Sequence, residues 1–133
     1  YSAETLPGDL PDATPVLVAE VVAWQVEFRC FILDRALRTF SVYARDGELQ
    51  AEVGYAHSAS EEAQLRSFVE GLLADHRVQL PRATVVDVGT IEGRGWAVVE
   101  QNGAWGAGLY GSDPGEALLV IRHATLGPPA SAS

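Results

Sequence analysis

The stretch DVGTIEGRGWAVVEQN, residues 87–102, has the pattern of two strands joined by a tight turn. Gly93-Arg94 is expected to form a two-residue type II′ turn, which takes glycine at its first central position. Antiparallel pairing outward from this turn sets Asp87 directly opposite Glu100. A shift of one residue would put these carboxylates on opposite faces of the sheet, so the turn geometry decides whether they meet.

Asn102 is expected to share the face of this acidic pair, because side chains alternate along a strand. Two carboxylates that face each other across strands destabilise a sheet unless something compensates for their repulsion. A raised pKa with a shared proton would compensate. A divalent cation would also compensate, because carboxylate and amide oxygens are suitable ligands for Mg²⁺. Acids that merely face solvent are the alternative, and the spacing leaves it open.

The residues before this hairpin predict four further strands, because they are rich in β-branched and aromatic residues. Asp46-Gly47 is a strong turn signal between the third and the fourth. These four predicted strands are residues 16–24, 26–34, 37–44 and 48–56. With the strands of the hairpin, residues 83–92 and 95–102, the predicted sheet has about six strands.

Two segments carry helical signals. Residues 60–74 place apolar side chains at the i, i+3, i+4, i+7 spacing of an amphipathic helix, with Ser58 or Ser60 as its N-cap. A second helix is expected to open at Asp113-Pro114, because an acidic N-cap followed by proline is typical of helix starts. The order of elements predicts an α+β fold: an antiparallel sheet with both helices on one face.

The two ends of the chain differ in composition from its middle. Residues 1–15 contain three prolines among small and acidic residues, and we expect a linker or N-terminal arm there. Residues 127–133, GPPASAS, are expected to be a disordered tail. The folded domain is therefore predicted to span residues 16–126.

The charge of the chain excludes several classes of function. Its 133 residues have a net charge of −9, and all nine basic residues are arginine. Such a surface repels nucleic acid phosphates, so no nucleic-acid partner is expected. Without lysine, this chain cannot itself supply a lysine phosphate clamp or a Schiff base. No apolar run approaches the ~20 residues of a membrane span, and no membrane partner is expected.

Cys30 is the single cysteine of the sequence. An internal disulfide is therefore excluded, and a lone cysteine is typical of a reducing compartment, so a cytoplasmic location is expected. The three histidines have no partner at ligand spacing, and no zinc site is expected.

Four strings of the sequence are distinctive: EFRCF at 27–31, YARDG at 43–47, DVG at 87–89 and GWAVVEQNGAWGAGLYG at 95–111. They resemble the C-terminal catalytic half of the ATP-grasp family, and in particular its clade named for one arginine and two lysines. VLVAEVV, residues 16–22, is similar to the hinge strand of that family. The resemblance covers about residues 15–124, and its last string is specific.

The resemblance implies a nucleotide site with bound metal. It implies that Asp87, Glu100 and Asn102 bind the Mg²⁺ ions that bridge the ATP phosphates, with Asn102 also in contact with the nucleotide. It implies that Arg29 binds and stabilises the transferring phosphoryl group or an acyl-phosphate. A fixed cation is suited to that task, because phosphoryl transfer depends on offsetting charge.

Two further acids and one loop are candidates for the same site. Glu27 is expected to orient Arg29, and a simple cross-strand ion pair is the alternative. Glu20 aligns with the hinge acid that often holds the ribose hydroxyls, although a solvent-facing strand acid fits equally well. The glycine-rich segment 103–111 is either a close-packed turn or a backbone contact for substrate or phosphate.

The resemblance implies a Mg-ATP-dependent ligase, which activates a carboxylate substrate as an acyl-phosphate that an amine or thiol then attacks. The family also needs a first half with phosphate-gripping lysines, and we expect this sequence to lack it. The chain would then be a piece of a longer protein, a subunit completed by a partner chain, or a degenerate relative, and a poor catalyst alone. The alternative is a non-catalytic binding or homo-oligomerisation module that covers an exposed apolar face by self-association.

Overall fold

The part of the chain that the structure describes contains five strands and two α-helices. The structure is a computed structural model, and it describes residues 11, 13–16 and 18–126. The strands are β1 (Trp24–Leu33), β2 (Ala36–Arg45), β3 (Glu48–Leu49), β4 (Ala83–Ile91) and β5 (Gly95–Asn102). The helices are α1 (Ala59–Ala74) and α2 (Pro114–Thr125). Neither of these described helices is long and apolar enough to cross a membrane.

The strands form one antiparallel sheet in the order β3-β2-β1-β4-β5. β1 lies at the centre and pairs with β2 on one side and with β4 on the other. The predicted α+β class and the antiparallel sheet are confirmed. Residues of β1 and β4 therefore lie side by side, although more than 50 residues separate them in the sequence.

The sheet has five strands rather than about six, and the predicted strand at 16–24 accounts for the difference. Its described residues before β1 lie outside any strand, and Val18 and Val21 are 87% and 83% exposed. Both edges of β1 are occupied by β2 and β4, so the segment that leads into β1 finds no free edge beside it. An apolar composition predicted a strand, but a strand also needs a neighbour with which to pair.

The predicted strand at 48–56 is reduced to the two residues of β3. A turn follows directly, in which the Gln50 carbonyl accepts hydrogen bonds from the amides of Val53 and Tyr55. Tyr55 adopts a positive φ of 59°, which a strand does not allow. The turn therefore ends the strand and leads the chain toward α1.

The two helices lie on opposite faces of the sheet, so the prediction that both lie on one face is wrong. Phe28, Cys30 and Ile32 of β1 pack in one core with α1. Phe31 and Leu33, which alternate with them, pack in a second core with α2. The physical reason is that β1 and β4 are apolar on both faces, and each face needs a covering layer.

Both helices begin at capping residues that the sequence indicated. The Ser58 hydroxyl accepts from the Glu61 amide, and the Glu61 carboxylate accepts from the Ser58 amide, which makes a capping box. Asp113 caps α2 by accepting from the Glu116 amide, with a proline directly after the cap. Ser58, rather than Ser60, is thus the N-cap of α1.

The β4–β5 hairpin differs from the prediction in its turn but not in the pairing of its carboxylates. Ile91 pairs with Gly95, so the loop has three residues instead of two. The longer loop would displace the register by one residue. A bulge at Val99 restores the register, and Asp87 lies opposite Glu100 as predicted.

Candidate functional site

Arg29 and Asp87 form a buried ion pair on the sheet face that α2 covers. They are directly paired positions on the neighbouring strands β1 and β4. The guanidinium donates to both carboxylate oxygens, from Nε to Oδ1 at 3.0 Å and from Nη2 to Oδ2 at 2.6 Å. The Asp87 side chain is fully buried, and that of Arg29 is 9% exposed. A bidentate pair of this kind fixes the plane of the guanidinium.

Opposing effects act on the pKa of Asp87. Burial is the largest and raises the pKa above its usual value, and Glu100 adds a smaller effect in the same direction. The hydrogen bonds and the charge of Arg29 act to lower it. The hydrogen bond to Asp87 in turn raises the pKa of Arg29, so the guanidinium stays charged. Arg29 and Asp87 thus form a charged pair joined by two hydrogen bonds. These hydrogen bonds and the attraction between the charges offset the cost of burying them.

Glu100 and Asn102 lie at the end of β5, beside this buried pair. Asn102 Nδ2 donates to Glu100 Oε1 at 2.8 Å. Glu100 is exposed and Asn102 is half-buried, so solvent reaches both side chains. The structure therefore brings the predicted trio together, with Asp87 beneath and the other two at the surface.

The donor set of this trio fits a magnesium ion. Mg²⁺ usually takes one or two carboxylates from protein and completes its shell with water and phosphate oxygens. Both oxygens of Asp87 already accept from Arg29, so Glu100 and Asn102 are the accessible donors. Within the described residues, no group of three or more His, Cys, Asp or Glu side chains could hold a metal ion. Phosphate or water oxygens would therefore have to complete the shell.

Two tyrosines pack against the Arg29 guanidinium, and we call them the tyrosine pair. The rings of Tyr43, on β2, and Tyr110, in the segment before α2, have centroids 5.2 Å and 4.9 Å from the Arg29 Cζ. The two rings stack with centroids 5.4 Å apart. The Gly108 carbonyl accepts from Arg29 Nη1 at 3.3 Å. The sequence analysis assigned no role to the two tyrosine side chains, although the strings YARDG and GLYG contain them.

Glu27 is connected to Arg29 through Tyr43 rather than directly. The Tyr43 hydroxyl donates to Glu27 Oε2 at 2.8 Å. Burial, and next to it this hydrogen bond, raises the pKa of Tyr43, so the hydroxyl stays protonated and remains a donor. Asp87, rather than Glu27, makes the direct contact with Arg29. Glu27 binds Tyr43, which in turn packs against Arg29.

Glu20 lies apart from the other predicted site residues. It is on the exposed segment before β1, and its carboxylate forms an ion pair with Arg94 of the β4–β5 loop at 2.6 Å. Arg94 precedes β5, whereas Asn102 ends it, and a strand of this length spans about 25 Å. The structure therefore does not bring Glu20 into contact with the Arg29–Asp87 pair.

The glycine-rich segment 103–111 is mostly exposed, but parts of it pack closely against the rest of the domain. Ala104 is fully buried in the core beside α2. Gly111 has no room for a side chain, because a Cβ there would lie 2.6 Å from the Tyr55 Cβ. Close packing thus accounts for this glycine, and a contact between the segment and a bound phosphate stays a prediction.

A cleft of ≈ 320 Å³ lies between the segment that leads into β1 and the β2–β3 turn. Glu27 lines this cleft and also holds Tyr43, so the cleft adjoins the Arg29 site. Its lining residues are Val22, Ala23, Trp24, Glu27, Asp46 and Gly47.

The sheet, its two helices and the β4–β5 hairpin are consistent with an α+β subdomain of an ATP-grasp protein. A family model for an ATP-grasp domain, the second family of the clade named for one arginine and two lysines, matches residues 2–120. The chain therefore belongs to this family, and the resemblance read from the sequence is confirmed. Searches of curated proteins and of solved structures gave no significant match.

Proposed function

We propose that this chain supplies the acidic half of a Mg-ATP site in an ATP-dependent ligase. The observation that carries the proposal is the exposed Glu100–Asn102 pair beside the buried Arg29–Asp87 pair. Membership of a family of ATP-grasp domains supports ATP as the nucleotide.

Glu100 and Asn102 would hold Mg²⁺ from the protein side. Asp87 would contribute to the metal site from the buried side. An ionised carboxylate has about four lone-pair sites, and Arg29 occupies two of those of Asp87. When bound, Mg²⁺ would neutralise phosphate charge and orient the transferring group.

The charge of the site predicts that metal and nucleotide bind together. Arg29, Asp87 and Glu100 carry one net negative charge between them. One net charge attracts Mg²⁺ only weakly at an exposed position, whereas ATP phosphates bring both negative charge and ligand oxygens. Without metal, the same acids would repel the phosphates. We therefore expect a higher affinity for Mg-ATP than for either component alone.

The reaction that fits this site is the activation of a carboxylate. A carboxylate oxygen of the substrate attacks the γ-phosphorus of ATP, ADP leaves, and an acyl-phosphate forms. An amine or thiol then attacks the acyl carbon, and phosphate leaves. Arg29 would stabilise the charge of the transferring phosphoryl group, because Asp87 fixes its guanidinium and keeps it charged. Glu27 would take part only through Tyr43.

The nucleoside end of ATP would occupy the ≈ 320 Å³ cleft beside Glu27. The segment that leads into β1 forms one wall of the cleft and also carries Glu20. A role for Glu20 in holding the ribose hydroxyls requires it to leave its surface ion pair with Arg94. That exchange costs little, because exposed ion pairs contribute about 0–1 kcal/mol.

We further propose that a complementary half completes the site, either within a longer protein or on a partner chain. This chain has no lysine with which to grip phosphates, and it would be a poor catalyst alone. The domain boundaries at residues 15/16 and 126/127, the homo-oligomer and the cytoplasmic location stay predictions. The predicted arm at 1–15 and the tail at 127–133 lie largely outside the described residues.

Calorimetric titration of the full chain with Mg-ATP tests the proposal. Glu100→Gln removes one exposed charge and leaves the buried ion pair intact. Asp87→Asn is less suitable, because it would leave the Arg29 charge buried without a counter-ion. Glu70→Gln is the matched control, since Glu70 is exposed on α1, on the opposite face of the sheet.

We expect wild type and Glu70→Gln to bind Mg-ATP with equal affinity. The affinity of Glu100→Gln should be lower by a factor of at least about ten. Equal binding by Glu100→Gln and wild type would contradict the metal assignment. A wild-type chain that binds no Mg-ATP would contradict the proposal itself and favour a non-catalytic module.

A further inference from the structure

We propose that Tyr43 and Tyr110 are positioning residues, which hold the Arg29 guanidinium so that two of its N–H groups face a phosphate or acyl-phosphate. The proposal rests on the proposed function, since it assigns the residues that prepare Arg29 for the anion. It adds to that function two side chains for which no individual role was expected from the sequence.

The donors of Arg29 show what remains for a ligand. A guanidinium has five N–H groups in one plane. Two of them bind Asp87 and one binds the Gly108 carbonyl. Among the described residues, one N–H group on each terminal nitrogen therefore has no hydrogen-bond acceptor. Each of these two groups can bind a phosphate oxygen while the Asp87 pair stays intact.

The tyrosine pair restricts the remaining freedom of the guanidinium. The Arg29 Cζ lies within about 5 Å of both ring centroids, a distance at which aromatic rings attract cations. Each ring is itself fixed by other residues. The hydroxyl of Tyr43 is bound to Glu27, and the ring of Tyr110 packs against Tyr55 at 5.8 Å.

Tyr110 also places this site at the boundary with solvent. The backbone of Tyr110 has a positive φ of 48°. Non-glycine residues seldom adopt this conformation, and it is enriched at functional sites. The residue is 38% exposed, whereas Arg29 is nearly buried. Tyr110 thus forms the outer cover of a charged group, and a ligand approaching Arg29 would pass beside it.

The surrounding charges define the ligand class. Glu27, Asp87 and Glu100 all lie near the guanidinium along the same sheet face. A free phosphate would be repelled by these acids, so the ligand we assign is a phosphate group that arrives with Mg²⁺. Mg-pyrophosphate is a suitable probe, because it has the phosphate chemistry without a nucleoside.

Nuclear magnetic resonance of the Arg29 side chain tests the proposal on the full chain. The rate of rotation about the Nε–Cζ bond reports whether the guanidinium is held, and shifts of the Nε–H signal report the approach of Mg-pyrophosphate. Tyr110→Leu removes the outer ring. Tyr110→Phe keeps the ring as the conservative control, and Tyr43→Phe removes only the hydroxyl that binds Glu27.

We expect slow rotation in wild type and Tyr110→Phe, and rotation at least about five-fold faster in Tyr110→Leu, with Mg-pyrophosphate bound about five-fold more weakly. Unchanged rotation in Tyr110→Leu would overturn the proposal. If Tyr110→Leu does not fold, Tyr43→Leu decides, because it removes the other ring, and rotation equal to wild type there would overturn the proposal. A wild-type Arg29 signal unaffected by Mg-pyrophosphate would contradict the proposed function, while the rotation rates would still decide whether the pair holds Arg29.

Discussion

At Gly89, strand β4 has no room for a side chain. A Cβ at this position would lie 2.5 Å from the carbonyl oxygen of Val26 and 2.9 Å from the ring of Trp24. The nearest of these atoms belongs to the backbone, so it cannot turn aside, and the strand itself would have to move. Gly89 therefore helps to set the spacing of the two strands that carry Arg29 and Asp87.

Gly89→Ala is expected to lower the free energy of unfolding by about 1–3 kcal/mol, because it overpacks a close contact. Gly71→Ala is the control, since Gly71 lies exposed in α1 and an added methyl group there would have no atom within 4 Å. That change should raise the free energy of unfolding by about 0.5–1 kcal/mol, as alanine is favoured in helices. Urea denaturation measures both. Equal effects of the two substitutions would contradict the close contact at Gly89.

Cys30 is expected to be unreactive in the native protein. It is fully buried in the core beneath α1, and burial raises the pKa of its thiol far above the usual value. Because the thiolate is the reactive form, a thiol reagent should modify native protein at least about 100-fold more slowly than protein in urea. Colorimetric thiol titration follows both rates. Rapid modification without urea would show that the α1 face opens easily.

For single residues, the sequence predicted the position of a side chain in the sheet better than it predicted the contacts of that side chain. Alternation and a turn signal led to the correct pairing of Asp87 with Glu100, although a longer loop and a bulge at Val99 together produce that pairing. They could not show that Asp87 is bound on its other side to Arg29, because that contact depends on β1 lying next to β4. Pairing between distant strands is decided by the whole sheet, and the local sequence carries no direct signal for it.

The start of α1 offers a test of the capping box. Ser58→Ala is expected to lower the free energy of unfolding by about 1 kcal/mol, since it leaves the Glu61 amide without its acceptor. Ser60→Ala is the matched control, because the Ser60 hydroxyl accepts only from the Gln64 side chain. Its effect should stay within about 0.5 kcal/mol. Equal losses in thermal unfolding would mean that the helix does not begin at Ser58.

The same helix start predicts how stability depends on pH. Arg45 is the main cause that lowers the pKa of Glu61 from 4.5 to about 2, and the Ser58 amide and hydroxyl contribute. A lowered pKa in the folded state means that the stabilisation is present above pH 4.5 and is lost as the pH falls toward 2. The stability difference between wild type and Glu61→Gln should therefore shrink over this interval. Urea unfolding at several pH values measures it, and a difference independent of pH would contradict this role of Glu61.

The elements themselves were predictable where the sequence carries a local signal. Both helices begin at the expected caps, because a cap is set by residues within one turn. The β4–β5 loop was predicted one residue too short, and the bulge at Val99 was not foreseen. The two departures cancel, so the carboxylates still meet. A bulge depends on how a strand must twist to fit its neighbours, which a local pattern of residues does not reveal.

The arrangement of the whole molecule was predicted only in part. The α+β class follows from the order of elements, but both helices were expected on the same face. The runs FRCFIL in β1 and ATVVDVG in β4 are apolar at nearly every position, and this indicates burial on both faces. The polar Arg29 and Asp87 interrupt these runs on the α2 face, which is where the candidate site lies.

Glu100 and Asn102 are proposed to hold the metal of Mg-ATP at the end of β5. Replacing Mg²⁺ by paramagnetic Mn²⁺ and recording nuclear magnetic resonance spectra of the full chain with ATP tests this claim most directly, because the metal broadens signals of nearby nuclei. We expect selective broadening of the amides around 100–102 and of the Arg29 side chain, with the exposed face of α1 unaffected. Broadening that centres on α1 or on the β4–β5 loop, or that is the same in Glu100→Gln, would contradict it.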